Sequence, residues 1–90
     1  MIKLWGKIMK NNRIEHQNVT ICTDDEAEEY QQQLKECIVK LCYHFDIEKP
    51  YWLQKNLKEY NKIKKTSFTQ DNFIEKIHFD RLEIEVLEEK

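Results

Sequence analysis

The side chains best suited to chemistry in this chain are three cysteines, Cys22, Cys37 and Cys42, and three histidines, His16, His44 and His78. A thiolate beside an imidazole is a nucleophile, and either group can ligate a soft metal. Their spacing favours neither use. On a helix, Cys37 and Cys42 fall about 140° apart around the axis, and Cys37 and His44, though on one face, stand about 10 Å apart along it. His16 is expected near the outer end of a hairpin whose base carries Cys22. Gly6 is the only glycine, so no glycine-rich turn presents backbone amides to an oxyanion or a phosphate. An odd number of cysteines without an export signal reads as reduced, buried cytosolic thiols. Carboxylates gather at 24–29 and 83–89, but without the spacing of a calcium loop. The first group suits the positive end of a helix, the second a solvated strand and terminus. His78 and Asp80 read as an exposed pair. The expectation is therefore a non-enzymatic protein with no catalytic residue, metal site, cofactor or small-molecule substrate.

The lysines offer a different chemistry. Lys55, Lys58, Lys62 and Lys65 are spaced three, four and three residues apart. On one helix they share a face that could meet phosphates, with Tyr51 on the same side. A solvated helix face produces the same spacing. The net charge of −2 implies no general attraction to nucleic acid or anionic lipid. Charge is laid out in blocks: residues 1–23 carry +3, 24–48 carry −6, 49–65 carry +5 and 66–90 carry −4. Such blocks complement one another within one folded unit.

Ninety residues, 40% hydrophobic and 36% charged, make one domain over 1–90 with a modest core under a solvated surface. No apolar run is long enough to cross a membrane, and the N-terminus lacks the apolar stretch of a secretory signal. There are no internal repeats.

Residues 2–10 alternate, with Ile2, Leu4 and Ile8 on one face and Lys3, Trp5, Lys7 and Met9 on the other. That is the period of a strand. Asn11-Asn12 suits a two-residue hairpin turn, and residues 13–22 form the second strand. With no bulge, Ile2 faces Ile21 and Leu4 faces Val19 on the core side. Trp5 then faces Asn18, Lys7 faces His16 and Met9 faces Ile14 on the other. Thr23 or Asp24 caps a helix over about 24–45, with Glu26 completing a capping box. Its apolar stripe is Ala27, Tyr30, Leu34, Cys37, Ile38, Leu41, Cys42 and Phe45. A second helix is expected over about 50–63, with Leu53, Leu57 and Tyr60 buried. A short helical turn near 69–75 and a last strand over 80–89 follow. The class is α+β in ββααβ order. The sheet is three-stranded and antiparallel, an N-terminal hairpin plus the C-terminal strand, with two main helices on one face. If the last strand pairs with the first, Lys3 and Lys7 share a face with Glu83 and Glu85.

Three stretches, Lys3-Leu4-Trp5-Gly6-Lys7, Asp46 to Leu53, and Phe68 to Ile74 running on to Leu82-Glu83-Ile84, resemble a family of short, uncharacterised Firmicutes proteins. The resemblance spans most of the chain. It implies a bacterial, cytosolic protein and transfers no site residue, because the family has no assigned activity.

The functional expectation is a cytoplasmic protein-interaction module that binds a protein partner, or itself as a homodimer. Its partner-binding residues would be Trp5, Met9, Ile14 and His16 on the sheet face away from the helices. The second expectation is a nucleic-acid-associated accessory protein using Lys55, Lys58, Lys62 and Lys65.

Overall fold

The computed structural model describes residues 1–22 and 30–89. Strands β1 (Ile2–Lys10) and β2 (Arg13–Cys22) form the hairpin; α1 (Tyr30–Phe45) and α2 (Gln54–Ile63) follow, then β3 (Lys65–Phe68), a 3-10 turn at Gln70–Asn72 and β4 (Arg81–Glu89). The class is α+β, as expected. The sheet has four strands rather than three, all antiparallel, in the order β2-β1-β4-β3. The strand not anticipated is β3. Its four residues show little alternation of their own. They are held by pairing with β4, where Thr66 lies opposite Ile84 and Phe68 opposite Leu82. The capping residues expected at Thr23, Asp24 and Glu26, and Ala27 of the stripe, lie outside the described residues.

The hairpin closes as its turn residues require. Asn11 and Asn12 both have positive φ, 54° and 62°, the pairing of conformations that matches strand twist in a two-residue loop. Asp80 Oδ2 accepts from the Asn11 N–H at 2.9 Å, and the Asp80 N–H donates to the Met9 carbonyl at 2.8 Å. Near the turn the register is the expected one, with Lys10 opposite Arg13 and Met9 opposite Ile14. It then shifts. Ile8 lies opposite His16, so Glu15 is an extra, bulged residue.

Two constraints of opposite parity account for the bulge. The tight turn places Ile14 on the side of Met9, which would leave Cys22 facing away from the helices. Yet Cys22 lies opposite Ile2 and is bonded to Cys37 of α1 beneath the sheet, with a Cα–Cα distance of 5.8 Å. A strand alternates strictly, so one residue must be absorbed between the two ends. The reading of three reduced thiols is thereby corrected. The pairing joins Cys22 to Cys37, and only Cys42 remains a free thiol.

Ile2, Leu4 and Ile8 of β1, Leu82 and Ile84 of β4 and Phe68 of β3 face the helices and are buried. Leu34, Cys37, Ile38, Leu41 and Cys42 of α1 meet them at the spacing read from the sequence. Gly6 marks the closest approach. A Cβ there would stand 3.0 and 3.1 Å from the two methyls of Leu41 and 3.3 Å from the Phe45 ring. Helix α1 ends at Asp46, whose φ is 57°, with the Ile47 N–H closing back on the Cys42 carbonyl at 3.0 Å, a common helix stop.

Helix α2 begins at Gln54, not near residue 50, because Leu53 is extended (φ −95°, ψ 167°) and Asn56 caps the first turn by accepting the Leu53 N–H. Of the expected Leu53-Leu57-Tyr60 stripe, Tyr60 is buried but Leu53 and Leu57 are not. Leu57 is 48% exposed, while Asn56 and Tyr60 are buried. Trp52 meets Tyr60 and Phe68 edge to face, with ring centroids 5.6 and 5.2 Å apart.

Candidate functional site

Because Ile2, Leu4 and Ile8 point into the helix layer, their neighbours Lys3, Trp5, Lys7 and Met9 point to the opposite, outer face of the sheet. On β4 the outer residues are Arg81, Glu83 and Glu85, opposite Met9, Lys7 and Trp5. Of the expected cross-strand charge pairs, Lys7 with Glu83 is present, whereas Lys3 lies opposite Glu88 and Glu85 is met by Lys65 of β3. Lys7 Nζ lies 3.1 Å from Glu83 Oε2, Arg81 Nε donates to Glu83 Oε1 at 2.7 Å, and Lys65 lies 4.0 Å from Glu85. Glu83 is therefore a shared acceptor. Its partial burial raises its pKa, but hydrogen bonds from Arg81 and Lys7, with their charges, outweigh burial and hold the carboxyl below its ordinary value. This half of the face is a neutralised charge ladder.

The other half, over β1 and β2, carries most of the apolar side chains of this face, with Lys3, Lys7 and Gln17 set among them. Trp5 lies opposite Val19, not Asn18, and Lys3 lies opposite Ile21. Val19 and Ile21, expected in the core, are turned outward by the Glu15 bulge and are 43% and 52% exposed. Ile14, opposite Met9, is 45% exposed. Trp5 is half-buried. Lys7 Nζ sits 4.1 Å from its ring centroid, and its indole N–H donates to Gln17 Oε1 at 3.1 Å. Of the four residues expected to bind a partner, the structure brings Trp5, Met9 and Ile14 onto one face. His16 leaves it, because its cross-strand partner Ile8 points toward the helix layer. His16 is exposed there, 3.9 Å from the Glu15 carboxylate. Val19 and Ile21 were missed because the bulge that exposes them depends on the distant Cys37.

The lysine stripe is also divided. Lys55, Lys58 and Lys62 are exposed on α2, but the helix stops at Ile63. Lys64 takes a left-handed conformation, φ 58°, and Lys65 belongs to β3, facing Glu85.

A groove of about 340 Å³ lies between α1 and α2, lined by Tyr30, Leu34, Trp52, Leu57, Tyr60 and Lys64 among others. The Tyr30 and Tyr60 hydroxyls are hydrogen-bonded to each other, and Lys64 Nζ lies 5.2 and 5.3 Å from their ring centroids. Its described lining contains no carboxylate, thiol or imidazole. Cys42 is a poor nucleophile: burial pushes its thiol up to about 12, with Lys49 opposing only in part. Among the described residues, no three His, Cys, Asp or Glu side chains converge as a metal site, and no helix is long and apolar enough to cross a membrane.

No protein-family model, curated protein or solved structure matches the chain.

Proposed function

We propose that this protein is a non-enzymatic protein-interaction module whose docking surface is the outer face of the β1–β2 hairpin. Trp5, Met9 and Ile14 belong to it, joined by Val19 and Ile21. The observation that carries the reading is the exposure of Val19 and Ile21 beside Trp5. β-branched side chains turned to water on one face, next to a half-buried indole, form the apolar centre that partner surfaces use. The Lys7, Glu83 and Arg81 ladder forms a charged rim that sets orientation. Its charges are already paired within the chain, so a partner need not neutralise them.

Nucleic-acid binding through Lys55, Lys58, Lys62 and Lys65 has less support, since Lys65 faces Glu85 on the sheet. The Cys22–Cys37 bond removes the support that reduced thiols lent to a cytoplasmic location, because such bonds persist in oxidising surroundings.

The test is a double variant, Trp5→Ala with Ile21→Ser, compared with the natural chain by sedimentation and by capture of binding proteins from a bacterial extract. Loss of self-association or of a captured protein, with an unchanged circular dichroism spectrum, supports the reading. Identical mass and identical captured proteins would overturn it.

A further inference from the structure

We propose that the outer edge of β2 is the seat of a second copy of this chain, paired antiparallel with itself about a twofold axis at Val19. The inference rests on the hairpin reading above and names its partner.

The two sheet edges are guarded differently. In the order β2-β1-β4-β3, both β2 and β3 have one side without a neighbouring strand among the described residues. Natural edges are protected by shortness, by lysine or proline, or by a bulge. The β3 edge is four residues long, follows Lys64 and opens on Lys65. The β2 edge is ten residues long. Its charges, Arg13 and Glu15, and its bulge all sit at the hairpin end. From His16 to Cys22 it carries no lysine, arginine, carboxylate or proline. Among the described residues, that stretch of backbone has no charge, proline or bulge to keep a second strand away.

The unguarded stretch is also self-complementary. Val19 is its midpoint, so a twofold axis there pairs the whole of His16–Cys22 with the same segment of a second copy. A twofold perpendicular to the sheet keeps outer faces together only when like-facing residues meet. At Val19 this holds: Val19 meets Val19, Ile21 meets Gln17 and Thr20 meets Asn18. Since Trp5 lies opposite Val19 within each chain, the seam carries a row running Trp5, Val19, Val19, Trp5. Aromatic and β-branched neighbours in such a row stabilise a sheet. No like charges meet across the seam. The interface is isologous and closed, as a twofold dimer requires.

The experiment is sedimentation of the full chain over a concentration series, combined with residue-resolved amide hydrogen exchange. The expected result is a mass rising from 11.1 kDa toward twice that value. Alternate amides of β2, those directed away from β1, should exchange more slowly as the dimer forms. Val19→Lys sets two ammonium groups against each other at the axis and should weaken association by about tenfold or more. If that variant fails to fold, the exchange pattern of the natural chain decides. A dimer whose β2 amides gain no protection overturns edge pairing but leaves the outer-face reading intact. A chain that stays monomeric throughout overturns the second copy; the outer-face reading then stands or falls on whether Trp5→Ala with Ile21→Ser loses a captured protein.

Discussion

Asn72 Nδ2 donates to Asn56 Oδ1 at 2.8 Å, and both side chains are fully buried. The two asparagines play the same local part. Asn56 Oδ1 accepts the Leu53 N–H at 3.0 Å at the start of α2, and Asn72 Oδ1 accepts the Thr69 N–H at 3.0 Å at the start of the 3-10 turn. Their amide nitrogens reach outward from there. Asn56 Nδ2 donates to Thr66 Oγ1 and the Ser67 carbonyl at 2.9 and 2.8 Å, and Asn72 Nδ2 also donates to the Tyr51 carbonyl at 2.6 Å. Thr66 in turn donates to Glu59 at 2.8 Å. Residues 51–53, α2, β3 and the 3-10 turn are thereby held by one polar cluster.

Removing either amide strands several buried partners at once. Asn56→Ala leaves the Leu53 N–H and the Ser67 carbonyl without their Asn56 bonds and the Asn72 amide with the Tyr51 carbonyl alone, and each unsatisfied buried group costs about 1–3 kcal/mol. Partial compensation by water would leave a net loss of about 2–4 kcal/mol. Chemical denaturation is expected to show that loss for Asn56→Ala and a similar one for Asn72→Ala. The double variant should lose less than their sum, because they share one bond.

Glu83 makes stability depend on pH. Its folded-state pKa is depressed, because the hydrogen bonds and charges of Arg81 and Lys7 outweigh the opposing effect of partial burial. A depressed carboxyl contributes stability that is present above its unfolded value, about 4.3, and is lost as pH falls through the folded value. Thermal melts taken downward from neutral pH should therefore show a declining melting temperature in the acid range. Glu83→Gln should be less stable at neutral pH and show a shallower decline. Equal slopes for the two proteins would show that the ladder does not stabilise the fold.

The Cys22–Cys37 bond closes a loop of 15 residues. In the chain-entropy account, closing a loop of that size stabilises by about 3 kcal/mol. Reduction with a dithiol should add two hydrogens to the intact mass and lower the denaturation midpoint accordingly, with no further loss when Cys22→Ser is reduced. Cys42 should stay unalkylated in the folded, oxidised protein, since its thiol titrates only near 12. Alkylation at one site before denaturation would contradict its burial.

Local signals were legible where they act locally. Asn11-Asn12 identified the turn because only residues tolerant of positive φ close a two-residue loop. The alternation of β1 and the spacing of Leu34, Cys37, Ile38, Leu41 and Cys42 marked the buried layer because each follows the period of its own element. What failed depends on distant residues. The outward turn of Val19 and Ile21 follows from Cys22 meeting Cys37. Strand β3 exists through β4. The buried side of α2 is set by an asparagine that also bonds residues 10 to 16 positions away, so apolar periodicity chose Leu57 where the fold chose Asn56. Of the candidate site, Trp5, Met9 and Ile14 were readable from alternation next to the turn, whereas everything beyond the bulge was displaced by one residue.

That displacement can be tested by deletion. Glu15 is the one residue of β2 without a partner on β1, since Met9 pairs with Ile14 and Ile8 with His16. Removing it shortens the strand without altering any existing pair. The turn keeps its two residues, Trp5 stays opposite Val19, and Cys22 stays opposite Ile2 within reach of Cys37. A chain lacking Glu15 should therefore fold with the Cys22–Cys37 bond intact and with stability within about 1 kcal/mol of the natural protein, the range of a modest surface change. Nuclear Overhauser contacts between Trp5 and Val19 should survive. If instead the deletion turned Val19 into the core, or left Cys22 as a free thiol, the parity argument for the bulge would be wrong. The exposed apolar edge of the hairpin would then need another cause.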